Sequence, residues 1–337
     1  MSDPLEQRPP PVGPTVAAPP RPATLRRARY VLPLLLALLL VPAVANSYVQ
    51  FVVNTVLVYC LVALGFNVVL GYLGELAFAN AAFFGLGAYT TGLTMAHFAL
   101  PFPIALALCG VVSALYGALV SLPALRLRGY YLAIVTLAFG ELMRWVYIHG
   151  DPFTFGPSGF NVPSASLFGV PLVSERAKYY LFLLVVVLGT VATARLLRSR
   201  VGRAFVAVRN NELAAASLGI SIAGTKVVAF AWSGLVVGLA GGLYAVLNGR
   251  ITPDSFGAGQ TLLHFAIVMI GGLGSVTGSI LGAILLTAAP ELLRNFPGVQ
   301  EIVFSLLLVV VLFFMPRGIG GLLAARLPAL RERLHVE

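Results

Sequence analysis

The sequence has 337 residues, of which 59% are hydrophobic and 10% are charged, whereas about 25% of a typical soluble domain is charged. So few charges cannot solvate the surface of a soluble globule, which excludes that class. A bilayer core about 30 Å thick needs about 20 apolar residues per spanning helix, so this length allows about ten spans. We therefore predict an all-α polytopic membrane protein. Its net charge of +10 does not indicate nucleic-acid binding, because the positions of charges carry the information in membrane proteins.

The first segment, residues 1–29, is predicted to be a disordered, Pro-rich cytoplasmic tail, because it cannot bury enough apolar surface to fold. Its basic cluster, Arg26, Arg27 and Arg29, precedes the uncharged run Val31–Ala45. This arrangement could also belong to a signal peptide. No clear cleavage site of small residues separates it from the next apolar run, so we predict an uncleaved first span.

The later apolar runs predict nine more spans, within a transmembrane domain that covers residues 30–316. The spans lie near 48–70, 76–97, 103–122, 129–149, 178–196, 227–248 and 300–315, with two more inside 255–290 that meet at the Gly-rich turn 271–278. Residues 150–176 are rich in Gly, Pro and Ser and predict a structured outer loop. Residues 317–337 are predicted to form a basic cytoplasmic tail.

The positions of the basic residues favour ten crossings with both termini in the cytoplasm. With that orientation, 17 of the 22 Lys and Arg residues fall in four predicted inner segments, 1–29, 126–128, 195–226 and 317–337. Treating 255–290 as one span would place the basic C-terminal tail outside, against the positive-inside tendency.

Small residues recur at four-residue spacing in the apolar part of the chain, and such residues let membrane helices approach closely. They form three sets: Gly234, Gly238 and Gly242; Gly274, Gly278 and Gly282; Ser113, Gly117 and Ser121. We favour scaffold contacts between helices as their explanation. The alternative is a substrate pathway that runs between sliding helices.

Residues that could support catalysis or hold a metal are scarce. The turn 271–278 is not a Walker motif, because no Gly-Lys-Ser/Thr follows it, and the chain has only two lysines, Lys178 and Lys226. The cysteines and histidines lack metal-ligand spacing: Cys60, Cys109, His97, His149, His264 and His335. We therefore predict no metal site, no cofactor bound by this chain and no enzyme activity. Any ATP hydrolysis would belong to another polypeptide.

Glu141 and Arg144 form a possible intramembrane pair, because they lie three positions apart on one face of the predicted span 129–149. A charge within a membrane is a functional hypothesis by default. A mutually compensating pair near the outer surface is an equally good explanation. The scarcity of other carboxylates within the spans argues mildly against an ion-coupled transporter.

The polar stretch 198–225 joins the sixth and seventh predicted spans. Asn210 or Asn211 can cap a short helix, Glu212 complements the N-terminus of that helix, and Gly219 can end it in the left-handed conformation. Because membrane helices hold both of its ends, this helix could transmit movement from a soluble partner. The alternative is an interfacial helix that lies on anionic lipid through its arginines.

Several stretches resemble one known family. Residues 202–220 resemble the EAA-type cytoplasmic loop of ATP-binding cassette (ABC) importer permeases. Residues 123–141, PALRLRGYYLAIVTLAFGE, resemble the signature of branched-chain amino acid permeases of the LivM type. Residues 271–278 and 314–319 are similar to late motifs of that family. The resemblance covers roughly residues 50–322, and the motifs follow the order of the family.

The resemblance implies a ten-span importer fold and a permease subunit that moves branched-chain, hydrophobic amino acids across a bacterial inner membrane. It also implies a homologous, LivH-like permease, two cytoplasmic subunits that bind and use ATP, and an extracytoplasmic solute-binding protein. By position, the ATPase-coupling residues would be Gly202, Arg203, Arg209, Glu212, Ala215 and Gly219. One departure is visible, because Asn-Glu-Leu-Ala-Ala-Ala replaces a strict Glu-Ala-Ala.

Two alternatives to this function stay open at the level of sequence. Urea or short-amide ABC permeases look similar in these motifs, because cargo selection lies largely with the binding protein. More distantly, an ion-coupled secondary transporter or channel would work alone, without any ATPase.

Overall fold

The computed structural model of the protein describes residues 45–292, except 152, 168, 169, 172 and 173, together with residues 39 and 42. The chain divides into two compact units, residues 1–44 and 45–337. In the first unit, residues 39 and 42 are helical. The predicted tails, most of the first predicted span and the whole of the tenth lie outside the described residues.

Helices make up most of the second unit as the structure describes it. In chain order they are α1 Ser47–Asn67, α2 Asn80–Phe98, α3 Phe102–Ala124, α4 Tyr130–His149, α5 Glu175–Arg198, α6 Arg200–Asn210, α7 Glu212–Ser217, α8 Ile222–Asn248, α9 Ala258–Gly271 and α10 Val276–Leu292. A π-helical stretch, Val68–Leu73, continues α1. Every predicted span that lies within the described residues is a helix, so the all-α polytopic architecture is confirmed.

Five helical segments in the described part of the chain are long and apolar enough to cross a membrane: α1 with its π-helical extension, α3, α4, α5 and α8. Helices α9 and α10 are shorter, with 14 and 17 residues, and pack against each other. At a rise of about 1.5 Å per residue they extend roughly 21 and 26 Å. They correspond to the two spans predicted within 255–290.

The turn 272–275 corrects one prediction about the small residues. Gly272 and Gly274 have φ angles of 115° and 73°, which a glycine adopts without a steric penalty. The predicted ridge of Gly274, Gly278 and Gly282 is therefore wrong at Gly274, because this residue lies in the turn and α10 begins at Val276. Gly278 and Gly282 do lie in α10, where they contact α9.

Helices α8 and α1 form the centre of the assembly. Helix α8 packs against α3, α2 and α1, while α1 also packs against α10 and α5. Gly234 and Gly238 of α8 lie against Ser113 of α3, and Gly117 lies against the Phe230 carbonyl. The two predicted ridges on α3 and α8 therefore meet in one interface, as scaffold contacts require. Gly242 extends the same interface towards α2 and α3.

The connections between helices gather at two opposite ends of the bundle. Helices α6 and α7 lie at one end, called here the α6–α7 end, together with the connections 74–79, 125–129 and 272–275. The opposite end, called the ribbon end, carries short strands: β1 Phe160–Asn161, β2 Ser166–Leu167, β3 Val170–Pro171 and β4 Arg250–Ile251. Strand β1 pairs antiparallel with β4, and β2 with β3. The predicted structured loop 150–176 is thus joined to the end of α8.

Candidate functional site

The stretch predicted as one short helix contains two, α6 and α7, because Asn211 interrupts the helical backbone with φ −162° and ψ 109°. The Asn211 Oδ1 atom accepts the Ala214 N–H at 3.0 Å and so caps α7. At the other end, Gly219 has a φ of 81°, which permits the sharp reversal towards α8. The cap and the stop predicted from the sequence are both present.

Glu212, the first residue of α7, faces the membrane helices and joins a group of charges, named here the Lys226 cluster: Glu75, Arg128, Glu212 and Lys226. The Lys226 Nζ atom lies 2.6 Å from Glu75 Oε1 and 2.9 Å from Glu212 Oε1. It also donates a hydrogen bond to the Ala124 carbonyl at 2.9 Å. Arg128 pairs with the second carboxylate oxygen of Glu212. One amine thus links α7 and α8 to the end of α3 and the α1–α2 connection.

The centre of this cluster is buried, and its amine is fully paired. The Lys226 side chain is 2% exposed, and those of Glu75 and Glu212 are 10% and 15% exposed, whereas Arg128 at the edge of the cluster is 70% exposed. An ammonium group has three N–H donors, and each of them has an acceptor here. Two acidic and two basic side chains give a net charge of zero. Burial of charge is tolerated under these conditions, because removal from water is offset only by close, fully paired partners.

Arg209, near the end of α6, makes a second link to the membrane helices. Its Nη1 atom donates to the Gly71 carbonyl in the π-helical stretch at 2.6 Å. The neighbouring turn between α9 and α10 is held by Asn67, whose Oδ1 accepts the Gly274 N–H at 3.0 Å. Asn67 Nδ2 also donates to Ser279 Oγ at 2.6 Å. The end of α6, the end of α1 and the start of α10 therefore form one hydrogen-bonded region.

The other predicted coupling residues occupy different surroundings. Gly202 is buried against the Leu197 carbonyl, so a side chain there would overlap the end of α5. Ala215 of α7 is buried, whereas Arg203 of α6 is exposed and donates to the Arg198 carbonyl at 3.4 Å. The outward side of the loop carries Leu213 and Leu218, which are 79% and 80% exposed.

A cleft of about 320 Å³ opens beside these groups at the α6–α7 end. It is lined by residues 73–75, 128–129 and 208–213. The cleft thus lies between the connection after α1 and the connection between α6 and α7, and three members of the Lys226 cluster, Glu75, Arg128 and Glu212, line it.

Glu141 and Arg144 lie away from this site, towards the ribbon end, where Asp254 joins them in what we call the Arg144 cluster. Arg144 Nη2 donates to Asp254 Oδ1 at 2.8 Å, and its Nη1 lies 3.6 Å from Glu141 Oε2. Glu141 Oε1 accepts the N–H of Ala258, the first residue of α9, at 3.1 Å. The pair predicted from spacing is present, but it has two further partners that the spacing could not indicate.

Comparison with known proteins identifies the family. A family model described as "Branched-chain amino acid transport system / permease component" matches residues 48–316. The chain is 33% identical to the high-affinity branched-chain amino acid transport system permease protein LivM of Salmonella typhimurium, over 94% of this chain and 78% of that protein. The chain belongs to this permease family.

Other relatives of the permease carry related names. LivM of Escherichia coli is 33% identical over 94% of this chain and 78% of its own length. LivH of Escherichia coli, a permease protein of the same transport system by name, is 26% identical over 78% of this chain and 91% of its own length. No solved structure matches the chain.

Sequence reasoning missed three members of the Lys226 cluster as site residues. The signal for Lys226 was available, because a lone lysine within an apolar helix must find an acid or leave the membrane. Glu75 and Arg128 gave no such signal, since only the fold brings them to that lysine. A polar chain in the bundle was also missed: Gln260 bridges Tyr59 Oη at 2.7 Å and His264 Nε2 at 3.0 Å.

Proposed function

We propose that this permease is the LivM-type transmembrane subunit of an ABC importer that carries branched-chain amino acids into a bacterial cell through the inner membrane. The proposed complex contains a second, LivH-like permease, two ATP-binding subunits and an extracytoplasmic solute-binding protein. The names of the relatives support the cargo, and similarity to both LivM and LivH supports the pairing of two homologous permeases. ATP would be bound and hydrolysed by the partner subunits.

One observation carries the coupling role: α7 is exposed on one side and fixed to the membrane helices on the other. Leu213 and Leu218 offer an apolar surface to a soluble partner. Glu212 on the same short helix is held by Lys226 of α8 and by Arg128. A displacement of α7 by the ATP-binding subunits would therefore reach α8, the α1–α2 connection and the end of α3 without passing through a flexible linker.

The orientation follows from the same proposal. The α6–α7 end would face the cytoplasm, with both termini on that side, and the ribbon end would face the solute-binding protein. The loop 150–176, together with the β1–β4 ribbon, would supply part of the surface on which that protein docks. ATP-dependent closure can open the path only if the two states of the permease differ in their affinity for the bound partners.

The experiment is reconstitution of the complete complex in liposomes, with leucine-loaded binding protein on one side and ATP on the other. We expect ATP-dependent leucine uptake by the complex and none by this permease alone in an ion gradient. Leu213→Glu should reduce both uptake and stimulated ATPase activity at least about tenfold, because it places a charge in the proposed apolar contact. Val201→Glu, at an exposed apolar position of α6, is the matched control.

Two results would contradict the proposal. Gradient-driven uptake by this permease without ATPase subunits would support a secondary transporter. Labelling of Leu218→Cys by a membrane-impermeant thiol reagent in intact cells would place α7 on the outside, away from any ATPase.

A further inference from the structure

The Arg144 cluster lies at an unusual depth for exposed charges. Glu141 precedes the last residue of α4, His149, by eight positions, about 12 Å along a helix axis. The side chains of Glu141 and Arg144 are nevertheless 44% and 34% exposed. Charged side chains within a membrane segment almost always face protein interior or water instead of lipid. This side of α4 is therefore not an ordinary lipid-facing surface.

The cluster is also incompletely balanced. Two carboxylates, Glu141 and Asp254, share one guanidinium, so the net charge of the cluster is −1. Asp254 is 81% exposed on the short turn Pro253–Phe256, and exposed ion pairs are weak. The Arg144 Nε–H has no acceptor among the described residues. Another carboxylate can therefore replace Asp254 on the guanidinium, and an ammonium group would offset the excess negative charge.

We propose that the Arg144 cluster binds the zwitterionic backbone of the transported amino acid during its passage. The ammonium group lies between Glu141 and Asp254, and the carboxylate pairs with the Arg144 guanidinium, whose planar fork fits a carboxylate oxygen pair. Leu142 and Trp145, exposed beside the charges on α4, provide apolar contact for a branched side chain. This inference rests on the proposed function, which supplies the cargo and the water-filled path.

The weakness of the cluster suits such a role. A transport site must release its cargo, so a tight, fully enclosed site would slow turnover by stabilising the bound state alone. Here the substrate carboxylate replaces Asp254 on Arg144, and Asp254 returns when the cargo leaves. The backbone N–H of Ala258 keeps Glu141 oriented throughout, because that hydrogen bond uses a different carboxylate oxygen from the one that faces Arg144.

The first experiment measures uptake and ATPase activity of the reconstituted complex, with leucine-loaded binding protein in excess. We expect Glu141→Gln and Arg144→Gln each to reduce leucine uptake at least about tenfold, a loss typical of one charged hydrogen-bonded contact. ATPase activity stimulated by the loaded binding protein should stay within about twofold of wild type. Glu141→Asp, which keeps the carboxylate, should recover part of the uptake.

The matched control is Lys178→Gln, on α5 beyond the loop 150–176. Lys178 forms an i,i+3 pair with Glu175 at 2.8 Å, so it has the same chemistry and spacing as Arg144 with Glu141 but lies outside the proposed path and the proposed docking loop. We expect this variant to import leucine at the wild-type rate. Uptake within about twofold of wild type for Glu141→Gln would overturn the inference and leave the proposed function intact. A wild-type complex that imports no leucine would reject both.

The second experiment tests whether water reaches this face. Ala138, exposed on α4 one turn from Glu141, is replaced by cysteine, and labelling with a charged, impermeant thiol reagent is followed in the whole complex. The native Cys60 and Cys109 are buried, so the wild type is the blank. We expect the rate of labelling to fall at least about threefold when loaded binding protein and ATP are added. The rate should not fall when Glu141→Gln is also present. Labelling only by a membrane-permeant maleimide would show that lipid or the second permease covers this face, and would overturn the inference.

Discussion

The two charge clusters of the permease contrast in burial and in balance. The Lys226 cluster has equal numbers of acids and bases; its central amine is 2% exposed and its two carboxylates 10% and 15%, and only Arg128 at its edge is exposed, at 70%. The Arg144 cluster has two acids for one base, and its exposures run from 34% for Arg144 to 81% for Asp254. Each contains a close ion pair between a carboxylate and a basic side chain, so the distance between the charged atoms does not distinguish the two clusters.

The difference indicates two kinds of task. A buried, complete cluster is expensive to open, because each separated charge would remain without water. It therefore holds its connected elements in one arrangement and moves them together. An exposed, unbalanced cluster is inexpensive to open, because water or another ion replaces each lost partner. We accordingly assign force transmission to the first and reversible cargo contact to the second.

Connectivity supports the same division. The Lys226 cluster joins α7 and α8 to the end of α3, to the α1–α2 connection through Glu75 and to the α3–α4 connection through Arg128. These elements lie far apart in the sequence. Among the residues that the structure describes, the Arg144 cluster joins only α4 to the turn before α9 and to the first residue of α9. In the described part of the chain, helix α4 packs against α2 and α3 rather than against the central helices α8 and α1.

The largest expected effect comes from Lys226→Met. Without the amine, Glu75 keeps no basic partner within the cluster, while Glu212 keeps Arg128. Removing one member of a buried ion pair costs about 3–5 kcal/mol, so thermal unfolding of the purified complex should begin at a clearly lower temperature. Stimulated ATPase activity and uptake should fall together in the fraction that stays assembled.

The double variant Glu75→Gln with Lys226→Met is the control for this prediction. It removes the unpaired carboxylate, so most of the lost stability should return, whereas coupling should remain impaired. A single variant as stable as the wild type would contradict the claim that the amine and its two carboxylates are buried and fully paired.

An intermediate effect is expected from Gly87→Ala, which alters the scaffold between the clusters without removing a charge. A Cβ at Gly87 of α2 would overlap the Gly238 carbonyl of α8. Overpacking of this kind costs about 1–3 kcal/mol. Gly259→Ala is the matched control, because nothing lies within 4 Å of a Cβ added there in α9. Equal thermal stability of the two variants, measured side by side, would show that α2 and α8 do not depend on this close approach.

The helices of this fold were predictable because their signal is local. Runs of about 20 apolar residues and the distribution of arginines indicated every described membrane helix, and Asn211 and Gly219 indicated the limits of α7. The other helix of that loop, α6, was missed because its arginines resemble an interfacial polar stretch. The small residues of α3 and α8 predicted close packing, but their spacing could not say that these two ridges face each other.

The clusters were less predictable because they depend on contacts between distant residues. Glu141 and Arg144 share one helix face, so spacing sufficed for them. Asp254 lies 110 positions from Arg144, and Glu75 meets Lys226 only after α1, α2 and α8 have packed. Glu212 was predicted as part of a docking loop, and the structure places its carboxylate against the membrane helices instead of on the exposed side of α7.

The smallest expected effect on stability is that of Arg144→Gln. Its partners are half-exposed or exposed, so the loss should be about 0–1 kcal/mol in the free energy of unfolding. Thermal unfolding of the complex should therefore be nearly unchanged, even though uptake falls. The difference between the unfolding temperatures of Arg144→Gln and Lys226→Met measures the contrast between the two clusters directly. If Arg144→Gln lowered the unfolding temperature as much as Lys226→Met, the Arg144 cluster would be a structural clamp between α4 and α9, and its exposed charges would need a role other than cargo contact.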